Sequence, residues 1–243
     1  MIYIVMRRTT DWGDRTRVDA QLPEGLKAAV SLWDATFKLP YHVFRRELAR
    51  IAHMTRSQVA GAACVSRTDV PPGALLVPTD DDDWFAPGLS TALKAACDDR
   101  YCGYYWPSRF IEVPISLGHE LGLLRRAIFP HTAPKWLCTT NNYALTMNPA
   151  AAALIDNHMI ASRWFLAHPA AVRFVPEPLS VMNRTLASQT SLGSVHSPRQ
   201  LVKKYLRYRR LYRGGMPTEL GWCERYVAMM RDLMDDLTLR VRA

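Results

Sequence analysis

The sequence predicts an α/β protein: a sheet of mostly parallel strands flanked by helices, with a helical extension at its C-terminal end. Three observations predict it. Short apolar, β-branched runs alternate with apolar residues at helical spacing through the first half of the chain. The middle, CGYYWPSRFIEVPIS (102–116), turns to the aromatics and prolines of a hairpin or edge strands. Past Asn183 a polar loop, NRTLASQTSLGSVHSP, leads into two further helical stretches. This divides the chain into a sheet-bearing domain, 1–195, and a basic helical extension packed on it, 196–243.

IYIVM (2–6) is the opening strand, and RRTTDWGDRTRVDAQLPEG reads as an arginine-rich loop. From Leu26 to about Met54 the apolar positions recur at helical spacing, and Leu39-Pro40 splits them into two helices. VAGAACVS (59–66) reads as a second, buried strand and ALLVPT (74–79) as a third, with the turn residues DVPPG between them. Pro87-Gly88 opens a helix that runs to about Asp98. KWLCTTNNYALTM (135–147) is a strand interrupted by Asn141-Asn142, and a single helix runs from Pro149 to about Leu166. VRFVPEPLSVM (172–182) supplies the last strand, and helices over 198–213 and 218–241 close the chain.

A length of 243 residues suits one large α/β domain with an appendage, and 49% hydrophobic with 22% charged residues is ordinary for a globular chain. No apolar run approaches the roughly 18 residues of a membrane span, and the apolar start is too short for a leader peptide. A cytosolic address is therefore expected. The five cysteines form no Cys-x-x-Cys pair, so neither a disulfide framework nor a zinc knuckle is indicated. The net charge of +9 favours an anionic partner, whether nucleic acid, a phosphorylated small molecule or an acidic membrane face.

Against that basic background, LVPTDDDDWFAPG (76–88) is an acidic exception. Four adjacent carboxylates repel one another unless they sit in water or hold a cation. Here the run leaves a buried strand and returns at once to Trp84-Phe85, which a solvated turn does not require. Ligands of α/β sheets lie beyond the carboxyl ends of the strands, where this run falls. A calcium loop would spread oxygen ligands at alternate positions with a glycine and a closing glutamate, and these are missing. Carboxylates sharing Mn²⁺ or Mg²⁺ with a diphosphate need to supply only one or two ligands, because phosphates and waters complete the octahedron.

TDDDDWFAPG resembles the Asp-x-Asp segment of GT-A glycosyltransferases, in which a strand enters D-x-D-D-[aromatic]-x-x-P-G and then a helix. The resemblance, to family-2-like and rhamnosyltransferase-like members, covers about residues 1–195 and implies a GT-A-like, Rossmann-type fold. It further implies a metal-dependent transfer of a hexosyl or deoxyhexosyl group from a nucleotide-diphosphate sugar to a saccharide or lipid-linked acceptor. Asp80 and Asp82 match the two motif aspartates and Asp83 the added carboxylate. Asp80 and Asp81 then face the nucleotide, while Asp82 and Asp83 hold the cation; a register one residue on, Asp81 with Asp83, stays open. In related inverting enzymes an acid at the head of the late helix is the base, which here points to Asp156, with His158 as the neighbouring imidazole. The late histidine common in the family is replaced by Asn183, Arg184 and Thr185, and the nearest histidine is His196.

Arg7, Arg8, Arg15 and Arg17 follow the first strand and are candidates for the diphosphate, because a guanidinium binds phosphate oxygens in pairs. Trp12 is placed to stack on a base or to cover the sheet edge. Trp106, Asn141, Asn142 and Tyr143 are candidate acceptor contacts, with turn formation the alternative for the asparagines. His119-Glu120 lacks a second histidine and reads as structural, and His131 has no evident partner in the sequence. PRQLVKKYLRYRRLYRGG carries seven cations and no acid, with tyrosines at 205, 208 and 212. It suits an anionic membrane at the cell's inner face or a polyanionic acceptor, and equally a docked helix with solvated charges. Two other readings stand beside the glycosyltransferase: a nucleic-acid- or polyanion-binding module built on the basic helix, and a nucleotidyltransferase.

Overall fold

The computed structural model describes residues 1–7, 10–107, 109, 138–139, 141–213 and 218–240. The chain forms two compact units, and the division differs from a break near residue 195. Among the described residues, the first unit takes 1–7, 52–107, 109, 138–139 and 141–182, and the second takes 10–51, 183–213 and 218–240. The expected strand region 110–116, His119-Glu120, His131 and Arg8 lie outside the described residues.

The first unit is built on a six-stranded sheet in the order β2-β1-β3-β6-β5-β7. Its strands are β1 (Ile2–Met6), β2 (Ala62–Val65), β3 (Leu75–Thr79), β5 (Gly103–Tyr105), β6 (Tyr143–Thr146) and β7 (Val172–Phe174). β1 runs parallel to both β2 and β3, and β5 parallel to β7; β6 alone is antiparallel to its neighbours β3 and β5. The sheet is thus mostly parallel and flanked by helices, an architecture compatible with a Rossmann-like fold. A two-stranded ribbon, β4 (Trp84–Phe85) with β8 (Ser180–Val181), stands apart from it.

Successive strand residues point to opposite faces, and the sequence fills both faces with apolar groups. Ile2, Ile4, Leu75, Val77, Tyr104 and Ala144 meet Leu89 and Leu93 of α4 (Leu89–Ala96) on one face. Val5, Leu76, Tyr143 and Leu145 meet Leu154, Ile155 and Phe165 on the other. Leu89 and Leu93 are fully buried, and each burial stabilises the helix dock by about 1.5–3 kcal/mol. Where β5 passes Phe165 the fit is tight: a Cβ on Gly103 would lie 3.0 Å from Phe165 Cζ, so the ring would have to give by a few tenths of an ångström.

Several elements depart from expectation. β2 is an edge strand with no fully buried residue, because among the described residues no strand pairs with its outer edge. The single helix expected over 149–166 is two, α5 (Pro149–Ile155) and α6 (His158–Ala167), because the Asn157 side chain accepts from the Met159 N–H and starts a new N-terminus. The stretch 172–182 splits into β7 and β8, which join different sheets on either side of Pro176 and Pro178.

The second unit is helical. The arginine-rich segment read as a loop contains α1 (Arg15–Gln21), whose first turn is capped by the Asp14 carboxylate accepting from the Thr16 and Arg17 N–H groups. α2 (Glu24–Thr36) and α3 (Tyr41–Ser57) break at Leu39-Pro40 as the sequence predicts. α7 (Gln189–Leu192) is a short turn within the polar loop, followed by α8 (Pro198–Leu211) and α9 (Glu224–Asp236). Trp33 is the aromatic hub of this unit. Its ring lies 4.9 Å from Phe37, 5.5 Å from Tyr41 and 5.2 Å from Phe44, and Phe37 in turn meets Tyr205 of α8 at 5.3 Å.

Candidate functional site

The strand order sets the place of the site. From β1 the chain passes to β2 on one side and then crosses back to β3 on the other, so the connections diverge at the β1–β3 boundary. Ligands of open α/β sheets bind beyond the carboxyl ends of the strands at such a switch point. The carboxyl end of β1 is followed by Arg7 and that of β3 by Asp80. The two are joined: the Arg7 N–H donates to Thr79 O at 3.0 Å, and the Arg7 guanidinium lies 3.2 Å from Asp80 Oδ1.

The acidic run is not a solvated turn. Asp80 and Asp81 are half-buried, whereas Asp82 is 8% exposed and Asp83 only 1%. Both ends are pinned. Before the run, β3 is buried along its length; after it, Trp84 and Phe85 pair with Val181 and Ser180, and the Phe85 N–H donates to Thr55 Oγ1. A chain that turns back so quickly into buried structure must draw its last two aspartates in with it.

Arg56, in the last turn of α3, supplies a counter-charge that the sequence reading did not single out. Its side chain is 5% exposed, and Nη1 donates at 3.4 Å to Asp81 O and at 3.5 Å to Asp83 O. Burial pulls its pKa below the ordinary guanidinium value, opposed by Cys64 and the carboxylates of Asp81, Asp83 and Asp82. Nothing local marks Arg56 among the other basic residues of RRELARIAHMTRS. Its partners lie 25 and 27 residues away, so only packing reveals it.

On the other side of the switch point lies Tyr143. Burial raises its hydroxyl pKa well above the ordinary phenol value; Arg7 pulls the other way, and Cys138, Asp80 and Asp156 add to the rise. Arg7, Asp80 and Asp156 therefore all act on one buried phenol, whose hydroxyl donates to Leu154 O at 3.3 Å. Asp156 is exposed at the end of α5, and His158 is half-buried in the first turn of α6. Arg7 and Asp80 meet at the strand ends, and both, with Asp156, bear electrostatically on the Tyr143 hydroxyl.

Other candidates have different roles in the structure. The Asn142 amide donates to Trp106 O at 2.8 Å and its oxygen accepts from Thr139, while Asn141 donates to Val181 O at 3.1 Å. Trp106 Nε1 donates to Ser180 Oγ at 2.7 Å. All three side chains, with Tyr143, are at most 1% exposed, so these contacts tie the β4–β8 ribbon to β6 and replace the acceptor contacts expected of them. In the second unit the Arg15 guanidinium is held by Asp19 and Asp34, which push its pKa above the ordinary value, and Arg17 pairs with Asp11. Trp12 is 4% exposed beneath the Arg45 guanidinium, 4.8 Å from its ring centre, and covers the helices instead of offering a face to a base. Asn183 and Thr185 are buried, and Arg184 is exposed.

Among the described residues no group of three His, Cys, Asp or Glu side chains converges to hold a metal ion unaided. The run does offer hard carboxylate oxygens at the mouth of a parallel strand, beside two guanidinium groups. That donor set fits a cation of the Mg²⁺ or Mn²⁺ kind, which keeps its waters and takes further oxygens from a bound diphosphate. Searches against family models, curated proteins and solved structures give no match for this chain. No helix among the described residues is long and apolar enough to cross a membrane.

Proposed function

We propose that the chain is a metal-dependent GT-A-like glycosyltransferase that moves a sugar from a nucleotide-diphosphate donor to a saccharide or lipid-linked acceptor. The observation that carries the reading is the position of the aspartate run: at the β1–β3 switch point, with Asp82 and Asp83 buried, Arg7 paired with Asp80, and Arg56 on the main-chain oxygens of Asp81 and Asp83. Asp82 and Asp83 are the residues to hold Mn²⁺ or Mg²⁺, and Asp80 and Asp81 those to meet the nucleotide. When bound, the cation supplies charge neutralisation for the departing diphosphate, the main electrostatic need of glycosyl transfer.

The remaining work falls to the protein's own groups. Arg7 holds Asp80 in place and adds a fixed positive charge at the strand ends. Arg56 keeps the turn folded by binding its main-chain oxygens. Asp156, exposed at the end of α5, is the residue to take the proton of an acceptor hydroxyl, with His158 in the first turn of α6 as the alternative base.

A thermal-shift panel of nucleotide-diphosphate sugars, with and without Mn²⁺, tests the reading. A stabilising shift that requires both donor and Mn²⁺ is expected, and Asp82→Asn should abolish it without lowering the Tm of the ligand-free protein, since one repelling charge is removed. Shifts that ignore Mn²⁺, or that persist in both Asp80→Asn and Asp82→Asn, overturn it. A response to nucleoside triphosphates alone would point to nucleotidyl transfer instead.

A further inference from the structure

The basic helix α8 presents its charges in an order that the sequence alone left open. Leu201, Tyr205, Tyr208 and Tyr212 are buried, at most 3% exposed, and lie on one side of the helix. At 3.6 residues per turn, Arg199, Lys203, Arg207 and Arg210 fall on the opposite side within about 80° of arc, spread along about 16 Å of axis. All four are exposed, and among the described residues none of their side chains makes an ion pair or hydrogen bond. The flanking cations are occupied. Lys204 donates to Ser191 O at 2.7 Å and Ser194 Oγ at 2.6 Å, while Arg209 and Arg213 reach Asp235 at 2.9 and 3.2 Å. The helix is therefore held along both flanks, and a stripe of four unpaired cations faces outward. Leu206, 54% exposed, flanks that stripe about midway along its length.

We propose that this face of α8 docks the protein on an anionic lipid bilayer. Four cations in line on a fixed helix match the uniform negative charge of a headgroup layer. Leu206 sets an exposed apolar group beside the stripe, which the headgroup layer accommodates and a phosphodiester backbone has no group to match. The three tyrosines, which would have been the stacking faces for single-stranded nucleic acid, are inside the unit and cannot stack on bases. Because the apolar side of the helix is already spent on its own unit, α8 lies on the headgroups and does not sink in. Binding is then electrostatic and sensitive to salt, since the field of an exposed charge decays over about 8 Å at physiological ionic strength. This surface is independent of the aspartate site.

The test is co-sedimentation of the full chain with vesicles of phosphatidylcholine alone and of phosphatidylcholine with phosphatidylserine. Binding only to the phosphatidylserine vesicles, lost at high salt, is expected. The combined variant Arg199→Gln, Lys203→Gln, Arg207→Gln, Arg210→Gln should weaken partitioning about a hundredfold or more, as each cation near an anionic surface contributes roughly fivefold. A control removes the same charge elsewhere, by Lys27→Gln, Lys38→Gln, Arg46→Gln and Arg50→Gln, and should weaken it far less. Equal binding to neutral vesicles, no binding to either, or an equal loss in the control each overturns the proposal. Tighter binding of a single-stranded oligonucleotide than of the anionic vesicles at the same salt overturns it too, in favour of nucleic acid. All eight positions are exposed, and an unchanged Tm confirms that a variant is folded.

Discussion

Replacing Arg56 by methionine keeps a long apolar stem and removes one buried positive charge from the acidic turn. Its two hydrogen bonds, at 3.4 and 3.5 Å, are long, and losing them costs little. The larger effect is electrostatic. Two unit charges about 6 Å apart interact by roughly 3 kcal/mol at an effective dielectric near 20, and three carboxylates act on Arg56. The desolvation of the guanidinium outweighs that attraction for Arg56 itself, as the lowered pKa records, so the loss on removing it comes from the carboxylates it leaves behind. Once the charge is gone, buried Asp82 and Asp83 lose their compensation, and the net loss falls at the low end of the range for breaking a buried pair, about 3 kcal/mol. In a chain of this size that lowers Tm by about 6–12 °C. A divalent cation at the same carboxylates restores positive charge, so saturating Mn²⁺ should raise the Tm of Arg56→Met by more than it raises the wild type. Mn²⁺ should also bind the variant more tightly, because a competing positive charge has left. Differential scanning fluorimetry with and without Mn²⁺, and Mn²⁺ titration calorimetry, read both effects. An equal Tm loss with and without Mn²⁺, or weaker Mn²⁺ binding by the variant, would refute the reasoning.

Two further outcomes are expected. Asp156→Asn should lower kcat by about 10²-fold, on the order of a lost general base, with KM for the donor little changed; near-normal turnover in it and in His158→Ala would dismiss both as the base and point to a retaining mechanism. Gly103→Ala should destabilise by about 1–3 kcal/mol, the usual cost of overpacking, since its Cβ would meet the Phe165 ring at 3.0 and 3.1 Å and Val172 at 3.4 Å. A Tm equal to or above the wild type would show that Phe165 gives way freely.

Local pattern was legible wherever a short window decides the structure. IYIVM and ALLVPT are strands because their β-branched and apolar residues fill both faces of a sheet, and Leu39-Pro40 separates two helices because proline removes a donor and restricts the residue before it. Some local signals were present but unread. Asp14 ahead of RTRVDAQ is an N-cap, and Asn157 is another, so α1 and the break between α5 and α6 were written in the sequence. The ribbon of β4 and β8 carried no such signal: two-residue strands have no periodicity, and Trp84 meets Val181 across nearly a hundred positions of chain.

By itself the sequence determined that four aspartates leave a buried strand, return at once to apolar surroundings, and stand out against a basic chain. It also determined that α8 has tyrosines and cations at helical spacing. Only the tertiary structure decided that β1 and β3 are neighbours, so that Arg7 meets Asp80; that the end of α3 brings Arg56 to Asp81 and Asp83; and that the asparagines after Thr139 serve the ribbon. It likewise chose which of the cations on α8 are paired and which face outward. Periodicity and capping are properties of neighbouring residues and can be read along the chain. Which charge lies beside which carboxylate depends on how whole faces pack, and that is fixed by contacts between residues far apart in sequence.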